Sequence, residues 1–189
     1  MGKAVLISIR PEWVEKIANG WKTIEVRKTK PYLETPFKCY IYCTNSGVAM
    51  GMWGKHGKVV GEFVCDKITW LNHVGFSGLP GIRLVAMRDM CTIDGSFDFS
   101  ESCLTTPQIE KYLGGKDGYA WHISKLEIYD APKDLNEFWI PPELYCEKER
   151  CGGCPYDQVA DVNGEYSFDC EWKRPLTRPP QSWCYVEEQ

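Results

Sequence analysis

Residues 20–27 read Gly-Trp-Lys-Thr-Ile-Glu-Val-Arg, and this octet decides how the first part of the chain is organised. The amphipathic stretch before it, residues 11–19, predicts a short helix that the first glycine of the octet ends. The octet then alternates as a strand does, so Glu25 and Arg27 share one face, with Lys22 at the turn before them. Such a cluster can grip a polar ligand, or it can be an ordinary surface ion pair of little energetic value.

Further along the chain, most segments carry strand patterns. Strands are predicted over residues 4–9, 23–28, 37–44, 58–71 and 119–129, the third of them half-buried and the fourth bent near Gly61. A second short helix is predicted over 106–113, and residues 72–102 are irregular enough to be an insertion over a binding face. Because several strands occur with few helices and no βαβ repeat, we predict a mixed α+β, mainly β fold: a closed or nearly closed barrel.

Composition sets limits on the class of protein. The 189 residues are 43% hydrophobic and 25% charged, which is typical of a soluble globular protein. No apolar run approaches the roughly 20 residues that span a bilayer, and the N-terminus lacks the pattern of a secretory signal. We therefore expect no membrane partner and a cytoplasmic location.

Charge is unevenly distributed along the chain. The net charge is −4, which argues against a general polyanion binder. Residues 1–38, however, carry eight Lys or Arg against four Glu, so the remainder is strongly acidic. A basic N-terminal segment on an acidic chain suits local recognition of a phosphate or a short nucleic acid, although a solvated helix and strand face would give the same pattern.

The order of the segments resembles that of the ASCH (activating-signal-cointegrator homology) family, a branch of the PUA-like β-barrels. The resemblance starts with the first strand, Arg10-Pro11, and Gly20-x-Lys22-Thr23-x-Glu25-x-Arg27. It continues through Phe37–Thr44, Gly57–Val64 and Gly118–Ile123, and covers about residues 3–135. It implies a PUA-like barrel over 1–138 with short flanking helices, followed by a Cys-rich C-terminal extension over 139–189 of the kind seen on bacterial and phage ASCH proteins.

This resemblance also implies a function. PUA-like domains generally bind RNA or DNA at a cleft that accepts a base or a modified base. Some ASCH relatives are hydrolases: one branch removes acyl groups from N4-acylated cytidine, and another member cleaves RNA. Lys22 stands where the amidohydrolase branch has its catalytic lysine, but the position of its nucleophilic threonine holds Glu25. A carboxylate cannot copy a threonine alkoxide, so a Lys22/Glu25 pair would have to activate water instead.

Binding of a nucleic acid requires only contacts from these residues and no catalytic group. Cationic side chains could contact phosphates or a base edge, a carboxylate could accept from an exocyclic amino group, and aromatic rings could stack on bases. The predicted nucleic-acid contacts are Arg10, Lys22, Glu25, Arg27, Thr44, Trp53, Tyr119 and Trp121. For each aromatic residue a place in the barrel core is the alternative. His122 has no cysteine or carboxylate nearby in sequence and is predicted to be structural.

Cysteine spacing predicts a metal site. Three of the ten cysteines lie in apolar strands, where we expect small buried hydrophobes: Cys39, Cys43 and Cys65. Near the C-terminus the spacing C-x4-C-x2-C-x15-C could close a tetrahedral structural zinc site. Its predicted ligands are Cys146, Cys151, Cys154 and Cys170, with Cys184 as the alternative fourth ligand. A redox CxxC pair and plain free thiols are the competing interpretations.

Three functions therefore remain open. The first is binding of RNA or a modified nucleotide in the cleft of a PUA-like barrel. The second is hydrolysis of a nucleoside or RNA substrate, with Lys22 and Glu25 as catalytic residues. The third is an interaction module whose Cys-rich extension docks a protein partner.

Overall fold

The computed structural model describes residues 2–46, 54–75, 82–87, 93–96, 98–141 and 174–189. The helices are α1 (Pro11–Ala18) and α2 (Thr106–Leu113). The strands are β1 (Lys3–Ile9), β2 (Ile24–Arg27), β3 (Phe37–Cys43), β4 (Lys58–Gly75), β5 (Ile82–Met87), β6 (Ile93–Ser96), β7 (Gly118–Lys133), β8 (Trp139–Ile140), β9 (Arg174–Pro175) and β10 (Trp183–Glu187). The predicted mainly β fold is confirmed. Within the described residues, no helix has the length and apolar character of a membrane span.

Eight of the strands form one sheet. Its main path runs β10-β1-β3-β4-β7-β2, with β5 and β6 branching from the far end of β4. The pair β1–β3 is parallel and the other pairs are antiparallel. Among the described residues no strand ladder joins β2 to β10, the two ends of this path. We call the gap between β2 on one side and β1 and β10 on the other the seam.

The core lies on both faces of β3. One cluster contains Cys39 and Ile41, and the other contains Tyr40 and Tyr42 packed near Phe138. The prediction of a half-buried β3 is therefore wrong. The tyrosine face of the strand is covered as well, because Phe138 and Leu176 from later in the chain pack against it.

The strand cysteines are buried as predicted. Cys39, Cys43 and Cys65 are fully inaccessible to solvent. Burial raises the pKa of Cys43 to about 11 and the pKa of Cys65 to about 12. These thiols therefore stay protonated at neutral pH and serve as small apolar side chains.

The bend predicted near Gly61 is present. The register of β4 against β7 shifts between Val59 and Gly61, and a Cβ at Gly61 would collide with the backbone carbonyl of Glu127. The predicted end of β7 at residue 129 is wrong, because the strand continues to Lys133. Residues 72–102, which were predicted to be irregular, contain the end of β4 together with β5 and β6.

The C-terminus returns to the main sheet. Strand β10 pairs antiparallel with β1, with Ala4 opposite Val186, and Val186 is fully buried. The predicted division after residue 138 stays a prediction, because residues 142–173 lie outside the described residues. The strand that ends the chain is nevertheless part of the same sheet as β1.

Candidate functional site

A cavity of about 590 Å³ lies at the seam. Its walls come from the end of β1, helix α1, β2, the residue after β3, helix α2 and the segment before β10. The lining includes Arg10, Trp13, Lys22, Glu25, Arg27, Thr44, Tyr112 and Ser182. Arg10 and Tyr112 are exposed whereas Lys22 is only 2% exposed, so the cavity leads from the surface to buried charged groups.

Local sequence explains how β2 presents its charged side chains. Helix α1 ends at Ala18, and two residues later Gly20 turns the chain with a φ of 72°, the left-handed conformation that glycine adopts without strain. The chain then enters β2, where Ile24 and Val26 pack in an apolar cluster with Leu113 of α2. Strand alternation therefore turns the intervening residues of β2 toward the cavity.

The carboxylate of Glu25 is held between two cations. Its Oε2 lies 3.1 Å from Lys22 Nζ and its Oε1 lies 3.0 Å from an Arg27 terminal nitrogen. Burial by itself raises the pKa of Glu25, but the charges of Lys22 and Arg27 and their hydrogen bonds outweigh burial and lower it. Glu25 is therefore ionised at neutral pH. We call these three residues the charged triad.

All three N–H donors of the Lys22 ammonium group are used in contacts within the protein. Besides its contact with Glu25, Nζ donates to the carbonyl oxygen of Ile24 at 2.7 Å and to that of Ser102 at 2.8 Å. An ammonium group has three N–H donors and no acceptor, so these contacts use all of them. Lys22 therefore orients Glu25 and joins β2 to the turn that contains Ser102.

The guanidinium of Arg27 bridges the seam. One terminal nitrogen donates to the Ser8 carbonyl of β1 at 2.7 Å. The other lies 3.3 Å from the hydroxyl of Ser182, just before β10. Arg27 thus ties β2 to both strands on the far side of the seam. Its buried Nε has no hydrogen-bond partner among the described residues.

The other predicted contacts are only partly brought together. Arg10 and Thr44 line the cavity, and the Thr44 hydroxyl pairs with that of Ser46 at 2.8 Å. Trp53 lies outside the described residues. Neither Tyr119 nor Trp121 is among the residues that line the cavity.

The prediction that Trp121 is a stacking surface is wrong. This side chain is fully buried in the core, with ring centroids 5.9 Å from Phe37 and 6.1 Å from Trp183. On this face of β7 the ring packs in the core cluster with Ile41 and Phe63, which leaves it no exposed surface for stacking on a base. Tyr119 is half-buried, and Lys30 Nζ lies 5.8 Å from its ring centroid.

Two aromatic residues that were not predicted as contacts also line the cavity. Trp13 comes from α1, and Lys22 Nζ lies 5.5 Å from its ring centroid. Tyr112 comes from α2 and is 40% exposed. The sequence shows only that Tyr112 stands next to Leu113, an apolar position of the predicted second helix. No local pattern in the sequence points to Ser182.

His122 has the structural role predicted for it. Its Nε2 lies 3.0 Å from the Thr69 hydroxyl, across the β4–β7 pair. Burial lowers the pKa of His122, so its ring is neutral at physiological pH.

The predicted zinc ligands Cys146, Cys151, Cys154 and Cys170 lie outside the described residues, and the zinc site stays a prediction. Within the described residues, no group of three or more potential ligands lies close enough to hold a metal. The alternative ligand Cys184 lies on β10 and packs beside the core cluster of Tyr40 and Phe138. Burial raises the pKa of Cys184 to about 11, which disfavours the thiolate that zinc requires.

Comparison with known proteins gives a match only among solved structures: no family model and no curated protein matches the chain. A crystal structure of ASCH from Zymomonas mobilis is similar over 98% of this chain and 88% of that one, with 17% identity and a TM-score of 0.53. A tyrosine-to-phenylalanine variant of that protein also has 17% identity, with coverages of 98% and 91% and a TM-score of 0.54. At this identity the likeness concerns the fold.

Proposed function

Because this chain has the ASCH fold, we propose that its cavity binds nucleic acid and holds one nucleotide or modified base of an RNA. The observation that carries the proposal is a cavity of about 590 Å³ whose described lining holds three cations, Arg10, Lys22 and Arg27, and a single carboxylate. This volume lies within the roughly 300–1,000 Å³ of small-molecule sites, which suits one nucleotide rather than a duplex.

The charge of the lining favours an anionic ligand. The lining holds three cations and one ionised carboxylate. Glu25 contacts two of the cations, but its single negative charge offsets only one positive charge. Arg10 is exposed at the mouth of the cavity and forms no ion pair within the described residues. A phosphate that enters there would meet a guanidinium suited to bidentate contact.

The remaining groups can recognise a base. Each oxygen of Glu25 pairs with one cation, and a carboxylate oxygen has a second lone pair that can accept from an exocyclic amino group. The rings of Trp13 and Tyr112 offer surfaces on which an unpaired base can stack. In this proposal they supply, inside the cavity, the stacking surface that was predicted for Trp121.

The hydrolase alternative has less support from the geometry. A general base needs a pKa near the working pH, whereas the pKa of Glu25 is lowered by the two cations beside it. Lys22 could accept a proton only after losing one and breaking a contact with Ile24, Ser102 or Glu25. Docking of a protein partner by the Cys-rich extension stays a prediction, because most of this extension lies outside the described residues.

The test is calorimetric titration of the protein with the four ribonucleoside 5′-monophosphates, repeated with Arg10→Ala and with Lys67→Ala as the control. Lys67 is exposed and does not line the cavity. We expect saturable binding of at least one monophosphate. Arg10→Ala should weaken it about tenfold, equivalent to about 1.4 kcal/mol, and Lys67→Ala should leave it unchanged. Equal binding by both variants, or no binding by the wild type, would reject the proposal.

A further inference from the structure

We propose that the nucleotide in the cavity belongs to a longer single-stranded RNA, whose flanking phosphates lie over a strip of two lysines and two tyrosines beside the cavity. This inference rests on the proposed function and extends it from a captured base to the class of substrate. The strip consists of Lys28, Lys30, Tyr112 and Tyr119, and we call it the Lys–Tyr strip.

The strip begins at the cavity itself. Tyr112 lines the cavity, and Lys28 Nζ lies 5.2 Å from the centroid of its ring. The second pair uses the lysine two residues further along the chain, with Lys30 Nζ 5.8 Å from the ring centroid of Tyr119. Tyr119 is the β7 partner of Arg27, the residue that bridges the seam. Because Arg27 also lines the cavity, the second pair adjoins the cavity wall through the β2–β7 ladder.

The segment that carries the lysines is anchored. Thr29, which lies between them, accepts a hydrogen bond from the indole nitrogen of Trp183 at 3.0 Å. Both lysines stay exposed, and each ammonium is attracted to the face of a tyrosine ring. Because side chains held in this way lose less freedom on binding, they are better placed for phosphate contacts than isolated surface lysines.

The two ammonium charges are not neutralised by neighbours. Neither Lys28 nor Lys30 has a carboxylate within 4.0 Å in the part of the chain that is described. Asp117, close to Tyr119 in sequence, is instead held by the indole of Trp70 and the amide of Asn72, each at 3.1 Å. Two uncompensated positive charges thus adjoin the cavity on a protein whose net charge is −4.

Single-stranded RNA fits these features best. The positive charges suit a phosphate backbone, and aromatic rings beside them stack only with bases that are not paired in a duplex. A free nucleoside would use the cavity but leave the Lys–Tyr strip without a role. The strip is also too small to neutralise the many phosphates that a long duplex presents.

The test compares a short and a long ligand on the full chain. A fluorescent single-stranded RNA of about eight nucleotides is titrated by anisotropy between about 0.05 and 0.2 M salt, and the monophosphate that binds best is titrated by calorimetry. The variant is Lys28→Ala/Lys30→Ala. The control, Lys67→Ala/Lys125→Ala, removes the same charge from two exposed lysines that do not line the cavity.

We expect the first double variant to bind the RNA at least tenfold more weakly and to lower the slope of log affinity against log salt by about 1.4, because two phosphate contacts are lost. Its affinity for the monophosphate, and both affinities of the control, should stay within twofold. If the wild type binds the monophosphate but Lys28→Ala/Lys30→Ala leaves the affinity for the RNA unchanged, the role of the Lys–Tyr strip is overturned and the proposed function stands. Failure of the wild type to bind either ligand would overturn both.

Discussion

The carboxylate of Glu25 determines the character of the cavity. It is the only acidic side chain among the described residues that line it, and it lies against two cations that are themselves almost fully buried. Buried cations without a counter-charge are costly, whereas a paired cluster with satisfied hydrogen bonds is tolerated. The charged triad therefore depends on its anion for stability.

Replacing Glu25 with glutamine keeps the shape of the side chain and removes its charge. Lys22 and Arg27 then repel each other without compensation, and we expect the free energy of unfolding in urea to fall by about 3–5 kcal/mol. Glu127→Gln is the matched control, because Glu127 is exposed on β7 and outside the cavity. A loss for Glu25→Gln no larger than that of the control would show that the triad is not stabilised in this way.

The lowered pKa of Glu25 predicts a pH dependence of stability. In the unfolded chain this group titrates near its ordinary value of 4.5, and in the folded protein it titrates lower. Its contribution is therefore fully present above pH 4.5 and is lost as the pH falls from there through the folded pKa. We expect the difference in unfolding free energy between wild type and Glu25→Gln to be constant from about pH 5 to 7 and to shrink in acid. A difference that grows in acid would contradict this.

At the residue scale the sequence was informative where a local rule applied. The two-residue period of a strand places Glu25 beside Arg27. In the structure these two side chains do contact each other, and Lys22 contacts Glu25. The same period could not say which face of β7 is the inner one, so Trp121 was misassigned. Ser182 could not be found, because it meets Arg27 only through the pairing of distant segments.

At the scale of the elements, the long strands could be predicted where the sequence alternates and where a glycine marks a bend. A bend in β4 follows from Gly61, since that position must let the backbone of β7 approach closely. The continuation of β7 beyond residue 129 and through Pro132 was not predicted, because proline usually ends a ladder. The register against β4 is irregular there, and a proline in a bulged pair need not supply a ladder hydrogen bond.

Two glycine substitutions test this account of β4. Gly61→Ala places a methyl group against the backbone carbonyl of Glu127, whereas Gly118→Ala places one 2.7 Å from a side-chain carbon of Leu113. A flexible side chain can move away, but a paired backbone cannot. We therefore expect Gly61→Ala to cost about 1–3 kcal/mol in urea unfolding and Gly118→Ala to cost less. The reverse order would show that β4 is not bent by close approach at Gly61.

The Cys-rich extension gives a separate prediction about a metal. We expect metal analysis of the purified protein to find about one zinc per chain, held by four thiolates as in structural zinc sites. Cys151→Ser/Cys154→Ser should lose the metal. Cys103→Ser should keep it, because that thiol bonds instead to the carbonyl of Trp21 at 3.2 Å. Wild-type protein without zinc would reject the site.

For the whole molecule, the position of the cavity follows from how the sheet ends. Its path begins at β10 and finishes at β2, and the two ends are joined by the side chain of Arg27 rather than by a ladder. Composition and strand count predicted a mainly β sheet. They could not predict that residue 187 pairs with residue 3, since nothing local encodes a contact between the ends of the chain. The opening at the seam could therefore be found only from the structure.

The central claim is that the seam cavity, with its charged triad, is where a nucleotide binds. The most direct test is ¹H–¹⁵N NMR titration of the protein with the monophosphate that binds best. We predict that the saturating shifts cluster at amides from the separate walls of the cavity, including those of Arg10, Arg27, Thr44 and Ser182. Shifts that cluster away from these residues, or spectra that do not change at saturating nucleotide, would contradict the claim.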